Sequence, residues 1–151
     1  MPSPSVEMII ATTSATFGAQ AAKCIVNFIT RRPVDFRILV HTGGMPSSHS
    51  ALVSCMTTYV GLIDGFNSTL FAVSFGFAMI IMYDAAGLRR AAGKMAMTLN
   101  QISSDLYHEH SDKVPDRLRE LLGHTPIEVI AGAIFGIVFA CLFRIYFTGH
   151  L

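Results

Sequence analysis

Charged side chains are scarce in this chain. Asp, Glu, Lys and Arg make up 14% of its 151 residues, against roughly 25% in an average soluble domain. Apolar types make up 52%, and the mean hydropathy is +0.51. The deficit argues against a soluble globule and the apolar excess against a disordered chain. An excess of one charge sign is also missing. The formal net charge of +1 leaves no basic surplus of the kind that marks a nucleic-acid binder, so no nucleic-acid partner is expected. Paired cysteines are absent too: Cys24, Cys55 and Cys141 are odd in number, sit in apolar runs and form no CxxC. They read as small buried thiols that say nothing of compartment. The first seven residues hold no Lys or Arg. The positive n-region of a cleavable signal peptide is therefore missing, and the first apolar run is expected to stay in the mature protein. The length suits one domain, residues 1–151.

What the chain does have is four apolar stretches. Met8 to Ile29 covers 22 residues with Lys23 as its one charge, and Ala51 to Ile63 covers 13, or 18 when counted from Pro46. Thr69 to Ala86 covers 18 and includes Asp84, and Ile127 to Phe147 covers 21 with Glu128 and Arg144 near its ends. A bilayer core about 30 Å thick needs about 20 helical residues, so the first, third and fourth fit. The second reads as a shorter helix sheltered by the others. The expected fold is all-α, a multi-pass transmembrane helical bundle of about four spans. Lys and Arg collect on the cytoplasmic side of a membrane. Here Arg31, Arg32 and Arg37 lie between runs one and two, and Arg89, Arg90, Lys94, Lys113, Arg117 and Arg119 between runs three and four. That pattern predicts both termini outside and two cytoplasmic loops. In the second loop Leu88, Ala91, Met95, Leu99, Ile102 and Leu106 recur at helical spacing, which predicts that the third span continues as an amphipathic surface helix. A shorter helix, Asp116 to Leu122, follows a polar turn at 107–113, where His108 and His110 have no partner pair at metal-ligand spacing.

Three strings carry candidate chemistry. In GGMPSSHSA, Gly43 to Ala51, Pro46 suits a helix beginning and Ser47 or Ser48 can cap it, leaving His49 in the first turn. A helix N-terminus offers free N–H groups and partial positive charge to an anion, and an imidazole there can move a proton near neutral pH. A capped helix start with an incidental histidine is the plain alternative. In GHTPIE, Gly123 to Glu128, Thr125, Pro126 and Glu128 match a capping box with proline at the first helical position. His124, just before it, is a candidate nucleophile for a phosphoryl group, with Glu128 orienting the ring through the other nitrogen. In YDAAGLRRAAGK, Tyr83 to Lys94, a 100° count puts Asp84 on the apolar stripe, facing the protein. Asp84 is a candidate to bind a metal, position a histidine or pair with an arginine. Arg89 and Arg90 are either phosphate clamps or orientation signals. Lys23 is an intramembrane charge, a functional candidate by default, although it could also snorkel. The GxxxG pairs Gly61/Gly65 and Gly132/Gly136 read as close-packing positions, within the bundle or across a dimer.

Together GGMPSSHSA, YDAAGLRRAAGK and ELLGHTPIEVIAGAIFG resemble the divergent PAP2 family, which is related to acid phosphatases and vanadium haloperoxidases; the resemblance covers roughly Lys23 to Gly136. In ordinary PAP2 enzymes it implies a lysine and arginines that hold phosphate, a PSGH histidine acting as general acid, and an HxxxD pair whose histidine is the nucleophile. On this chain Pro46-Ser47-Ser48-His49 matches PSGH with Ser48 for glycine, His124 to Glu128 matches HxxxD with glutamate for aspartate, and Lys23 stands for the first-motif lysine. There are departures. Eight residues separate Lys23 from Arg32-Pro33, two more than in KxxxxxxRP. The arginine expected ahead of the nucleophile falls on Leu118, and Asp84 has no counterpart.

The resemblance implies a membrane phosphatase acting on a lipid phosphate or diphosphate at the cytoplasmic face through a phosphohistidine. His124, His49, Glu128 and Asp84 would form its catalytic set, and Lys23, Arg89, Arg90 and Ser48 its phosphate-binding set. This route needs no cofactor, whereas a metal-assisted one would place a divalent ion on Asp84, Glu128 and the histidines. A membrane protein that binds or moves phosphorylated lipids without hydrolysis is the rival. Four spans are fewer than in ordinary membrane PAP2 enzymes, which leaves room for a homodimer.

Overall fold

The computed structural model describes residues 3–29, 44–107, 118 and 123–149. The described residues form five helices: α1 (Pro4–Ile29), α2 (Ser48–Asp64), α3 (Thr69–Ala86), α4 (Leu88–Tyr107) and α5 (Pro126–Thr148). The four apolar runs become α1, α2, α3 and α5. The basic segment around Arg31, Arg32 and Arg37, the turn with His108 and His110, Lys113, and the short helix with Arg117 and Arg119 lie outside the described residues. So do the side chains of Leu88, Arg89 and Leu106.

α2 is the sheltered helix. It packs against α1, α3 and α5 and buries ten of its 17 residues. α1 meets it with a single four-residue row, Glu7, Ala11, Ala15, Ala19 and Lys23, all buried. Residues four apart lie above one another on a helix, and alanines on that row let two backbones approach closely. α5 does the same with glycine. A Cβ on Gly132 would strike the Ser47 carbonyl, and one on Gly136 the Ala51 carbonyl. This GxxxG pair therefore packs within the bundle, against the start of α2. Gly61 and Gly65 do not act as such a pair. Gly61 lies under the Phe66 ring, and Gly65 takes φ +89° as the cap beyond α2.

The outer surface is apolar. Phe75, Phe77 and Ile80 on α3, with Ile130, Ile134 and Leu142 on α5, are each at least half exposed. Thr69–Asp105 and Pro126–Phe147 contain stretches long and apolar enough to cross a membrane. A helix that is hydrophobic all round but bare on its outside suits lipid rather than water.

Two polar groupings mark opposite ends of the bundle. At one end the Tyr59 hydroxyl donates to Glu7 Oε2 at 3.3 Å, Arg144 Nη1 donates to the same oxygen at 3.1 Å, and the guanidinium lies 5.9 Å from the Tyr59 ring centroid. At the other end are Lys23 and the starts of α2 and α5. Glu7 and Lys23 are 16 positions apart on α1, about 24 Å along its axis.

The structure bears on three expectations. As expected, the third span continues into an amphipathic helix: α4 follows α3 across Gly87, which stays in the right-handed helical region at φ −104° and ψ −79°, and the Tyr83 and Gly87 carbonyls accept the Gly87 and Ala91 N–H groups there. The stripe itself faces outward: Met95, Leu99 and Ile102 are exposed, while Gly93 and Ala96 are buried. Among the thiols, Cys55 is buried, but Cys24 and Cys141 are half-buried.

Candidate functional site

The site forms where two helices begin side by side. Ser47 caps α2, its hydroxyl accepting the Ser50 N–H at 3.4 Å, and Pro46 stands just ahead of that cap rather than inside the helix. Thr125 caps α5. Its hydroxyl accepts the Glu128 N–H at 3.4 Å while Glu128 Oε2 accepts the Thr125 N–H at 3.0 Å, with Pro126 opening the helix. The Ser47 N–H donates to the Glu128 carbonyl at 3.0 Å, which ties the two starts together. Both helices thus bring their first-turn N–H groups and positive dipole ends to one place, a setting that favours an anion.

His124 sits in this junction at 3% exposure. Its backbone N–H donates to the Ala85 carbonyl at the end of α3, at 3.0 Å. Its Nδ1 lies 3.1 Å from Glu128 Oε2, the oxygen that also closes the cap. With its proton on Nδ1, directed at the carboxylate, the imidazole has its basic lone pair on Nε2.

Lys23 is enclosed rather than snorkelling, at 1% exposure. Its stem runs along Gly44, where an added Cβ would come within 3.3 Å of Lys23 Cδ. Gly44 has φ +88°, a conformation suited to glycine, so backbone shape favours glycine here.

Of the candidate residues, a contact joins His124 and Glu128 directly, while Lys23 packs on Gly44, three residues ahead of the Ser47 cap of α2. Ser48 is buried in the first turn of α2, with His49 beside it, exposed at the same end. Asp84 precedes the residue that seats His124; it is half-buried and lines a shallow hollow with Met79, Ile80 and Tyr83. Arg90 is exposed in the first turn of α4. Among the described residues, no point gathers three or more His, Cys, Asp or Glu side chains able to hold a metal ion. Sequence reasoning missed the grouping of Glu7, Tyr59 and Arg144. The alanine row of α1, with an acid at one end and a lysine at the other, was the available signal.

Comparison with known proteins bears on this arrangement. The profile of the Divergent PAP2 family matches residues 5–139. The chain belongs to the divergent PAP2 family. It is 39% identical over 150 residues to the membrane protein YuiD of Bacillus subtilis (strain 168), covering 92% of this chain and 94% of that protein. No solved structure matches it. In this divergent PAP2 chain all three motif strings lie inside the matched span, and so do Glu7 and Tyr59; Arg144 falls beyond its end.

Proposed function

We propose that this protein is a multi-pass membrane phosphatase acting on a lipid phosphate or diphosphate at the cytoplasmic face. One observation carries the reading: a buried His124 paired with Glu128 where two helix N-termini and a buried Lys23 converge. His124 Nε2 attacks phosphorus and forms a P–N bond as the P–O bond to the leaving group breaks. His49 donates a proton to the departing oxygen. Glu128 holds the Nδ1 proton and offsets the charge that the ring acquires. Lys23, the first-turn N–H groups around Ser48, and Arg89 or Arg90 stabilise the equatorial oxygens. Water then cleaves the P–N bond, returning His124 and releasing phosphate. α1 and α2 cross the membrane with α3 and α5, and the basic loops orient the site inward.

A second reading, lipid-phosphate binding without turnover, has one observation in its favour: the capping box alone gives Glu128 a structural role. Phosphate release from a panel of lipid phosphates by the reconstituted chain decides between them. The wild type should release phosphate with or without EDTA, vanadate should inhibit, and His124→Ala should lower the rate by about 10³-fold or more. Saturable binding without release supports the second reading. Activity abolished by EDTA and restored by a divalent ion points to metal-assisted hydrolysis with Asp84 and Glu128. A rate that survives His124→Ala removes the nucleophile.

A further inference from the structure

α2 packs against both α3 and α5 and holds them apart over much of their length. The gap is an elongated apolar groove of about 390 Å³. Its floor is α2, and two of the floor hydroxyls are turned to internal partners: Thr57 donates to the Ser74 carbonyl at 3.1 Å, and Ser54 to the Met82 sulfur at 3.9 Å. The floor therefore presents mainly carbon. Ala78 and Met82 form one wall, Ala133 and Ile137 the other. Phe66 and Phe71, edge to face at 5.1 Å between centroids, stand at the far end.

The groove leads away from the His124 site. Its nearer end, Met82, is three residues before Ala85, whose carbonyl seats His124, about 5 Å along the helix. From Met82 to Phe71 is eleven residues, about 17 Å, close to half of a hydrocarbon core about 30 Å thick. A phosphate held at the helix starts would have its attached chain enter at Met82 and run to mid-membrane. The volume of 390 Å³ is near the low end of ligand pockets, roughly 300–1,000 Å³, which suits one narrow chain. In lipid no hydrophobic force pulls a tail into a groove, so the gain is van der Waals fit. Such a groove selects by shape. A chain ester-linked directly to phosphate enters within one helical turn, whereas a glycerol backbone must fit its branch point there.

We infer that the groove between α3 and α5 is the chain subsite of this protein, and that its ligands are lipids with a single hydrocarbon chain on phosphate or diphosphate, in preference to two-chain phosphatidates. This rests on the lipid-phosphate reading of the His124 end but not on hydrolysis.

The test uses the full chain in phosphatidylcholine vesicles and a long-chain n-alkyl phosphate bearing a mid-chain diazirine. Photolabel should map to Phe71–Met82 and Ala133–Cys141, unlabelled alkyl phosphate should displace it, and phosphatidate should displace it about tenfold less well. Ala133→Phe, which fills the groove, should reduce labelling about tenfold. It should also reduce, by a similar factor, the kcat/KM ratio of long-chain over short-chain alkyl phosphate. Label in the groove without phosphate release supports the subsite and refutes the hydrolase. Phosphate release with label on the outer face of α1, or labelling and chain-length preference unaltered in Ala133→Phe, refutes the subsite alone. Equal competition by phosphatidate refutes the one-chain class. Efficient thiol cross-linking of Cys141 between two copies would show a second chain in the groove and overturn the proposal. Should Ala133→Phe not fold, the wild-type label map decides.

Discussion

Glu128→Gln removes the negative charge facing His124 while keeping an oxygen that can accept the Thr125 N–H. In the native chain one atom, Oε2, does both, at 3.1 Å from His124 Nδ1 and 3.0 Å from the Thr125 nitrogen. Glutamine is also a regular partner in a capping box, so Glu128→Gln should change stability by only a few tenths of a kcal/mol. Glu128→Ala removes the acceptor and should cost about 1 kcal/mol, a Tm drop of about 2–4 °C for a chain of this length.

Turnover should respond in a different proportion. Once the ring carries a phosphoryl group it is cationic, and its bond to the carboxylate becomes charge-assisted, a contribution of about 1.5–3 kcal/mol. Glu128 is 22% exposed, so solvent screening favours the lower half of that range. Since 1.36 kcal/mol is one decade of rate, Glu128→Gln should lower kcat about 10- to 40-fold while KM moves little. Phosphate-release kinetics and thermal melts on the same detergent samples measure both. If Glu128→Gln turns over at the wild-type rate, or if kcat across the Gln and Ala variants merely follows Tm, Glu128 is a helix cap and nothing more.

Three further outcomes test the bundle and the cradle. Glu7→Gln leaves a largely buried Arg144 without its carboxylate and should cost about 3–5 kcal/mol, a Tm drop on the order of 10 °C. The Glu7→Met, Arg144→Met pair should recover most of that, and strictly additive losses would show that the two do not couple. Gly136→Leu drives a side chain into the Ala51 backbone and should destabilise by at least about 1–3 kcal/mol; a wild-type melt would remove the close α2–α5 contact. Lys23→Met should leave the fold intact but weaken vanadate inhibition about tenfold or more, the loss of one charge-assisted contact; an unchanged inhibition constant would take Lys23 out of the site.

What could be read in the sequence was whatever local physics enforces. A membrane crossing demands long apolar runs, so α3 and α5 appear within a few residues of their ends. Caps obey short-range hydrogen bonding, so Ser47 and the Thr125/Glu128 box appear where their spacing puts them. Long-range pairing leaves no such trace. Glu7 looks like an ordinary acid in the first turn of a helix, because its partners Tyr59 and Arg144 are 52 and 137 positions away. The two GxxxG pairs are indistinguishable as strings, yet only Gly132/Gly136 meets another helix. A 100° count put Asp84 on a stripe read as facing the protein, yet Met95, Leu99 and Ile102 of that stripe are exposed, because periodicity alone does not say which surface an apolar face meets.

The contrast between the two ends of α1 explains why one of them is the candidate site. Glu7 and Arg144 cancel in a direct ion pair that the Tyr59 hydroxyl completes, so that end needs nothing further. At the Lys23 end a lysine at 1% exposure packs on Gly44, just ahead of the start of α2, a helix N-terminus equivalent to roughly half a positive charge. Against these, Glu128 supplies one carboxylate, already engaged with His124 and with its own cap. Enclosing an ammonium costs free energy, and a phosphate group seated beside it would offset part of that cost. A bundle stabilised only by helix packing would gain nothing from Lys23, since methionine would fill the space beside Gly44 without the desolvation cost. On this reasoning the buried lysine fits anion binding better than it fits architecture, and Lys23→Met separates the two: a variant at least as stable as the wild type but inhibited by vanadate about tenfold less well bears out the binding role.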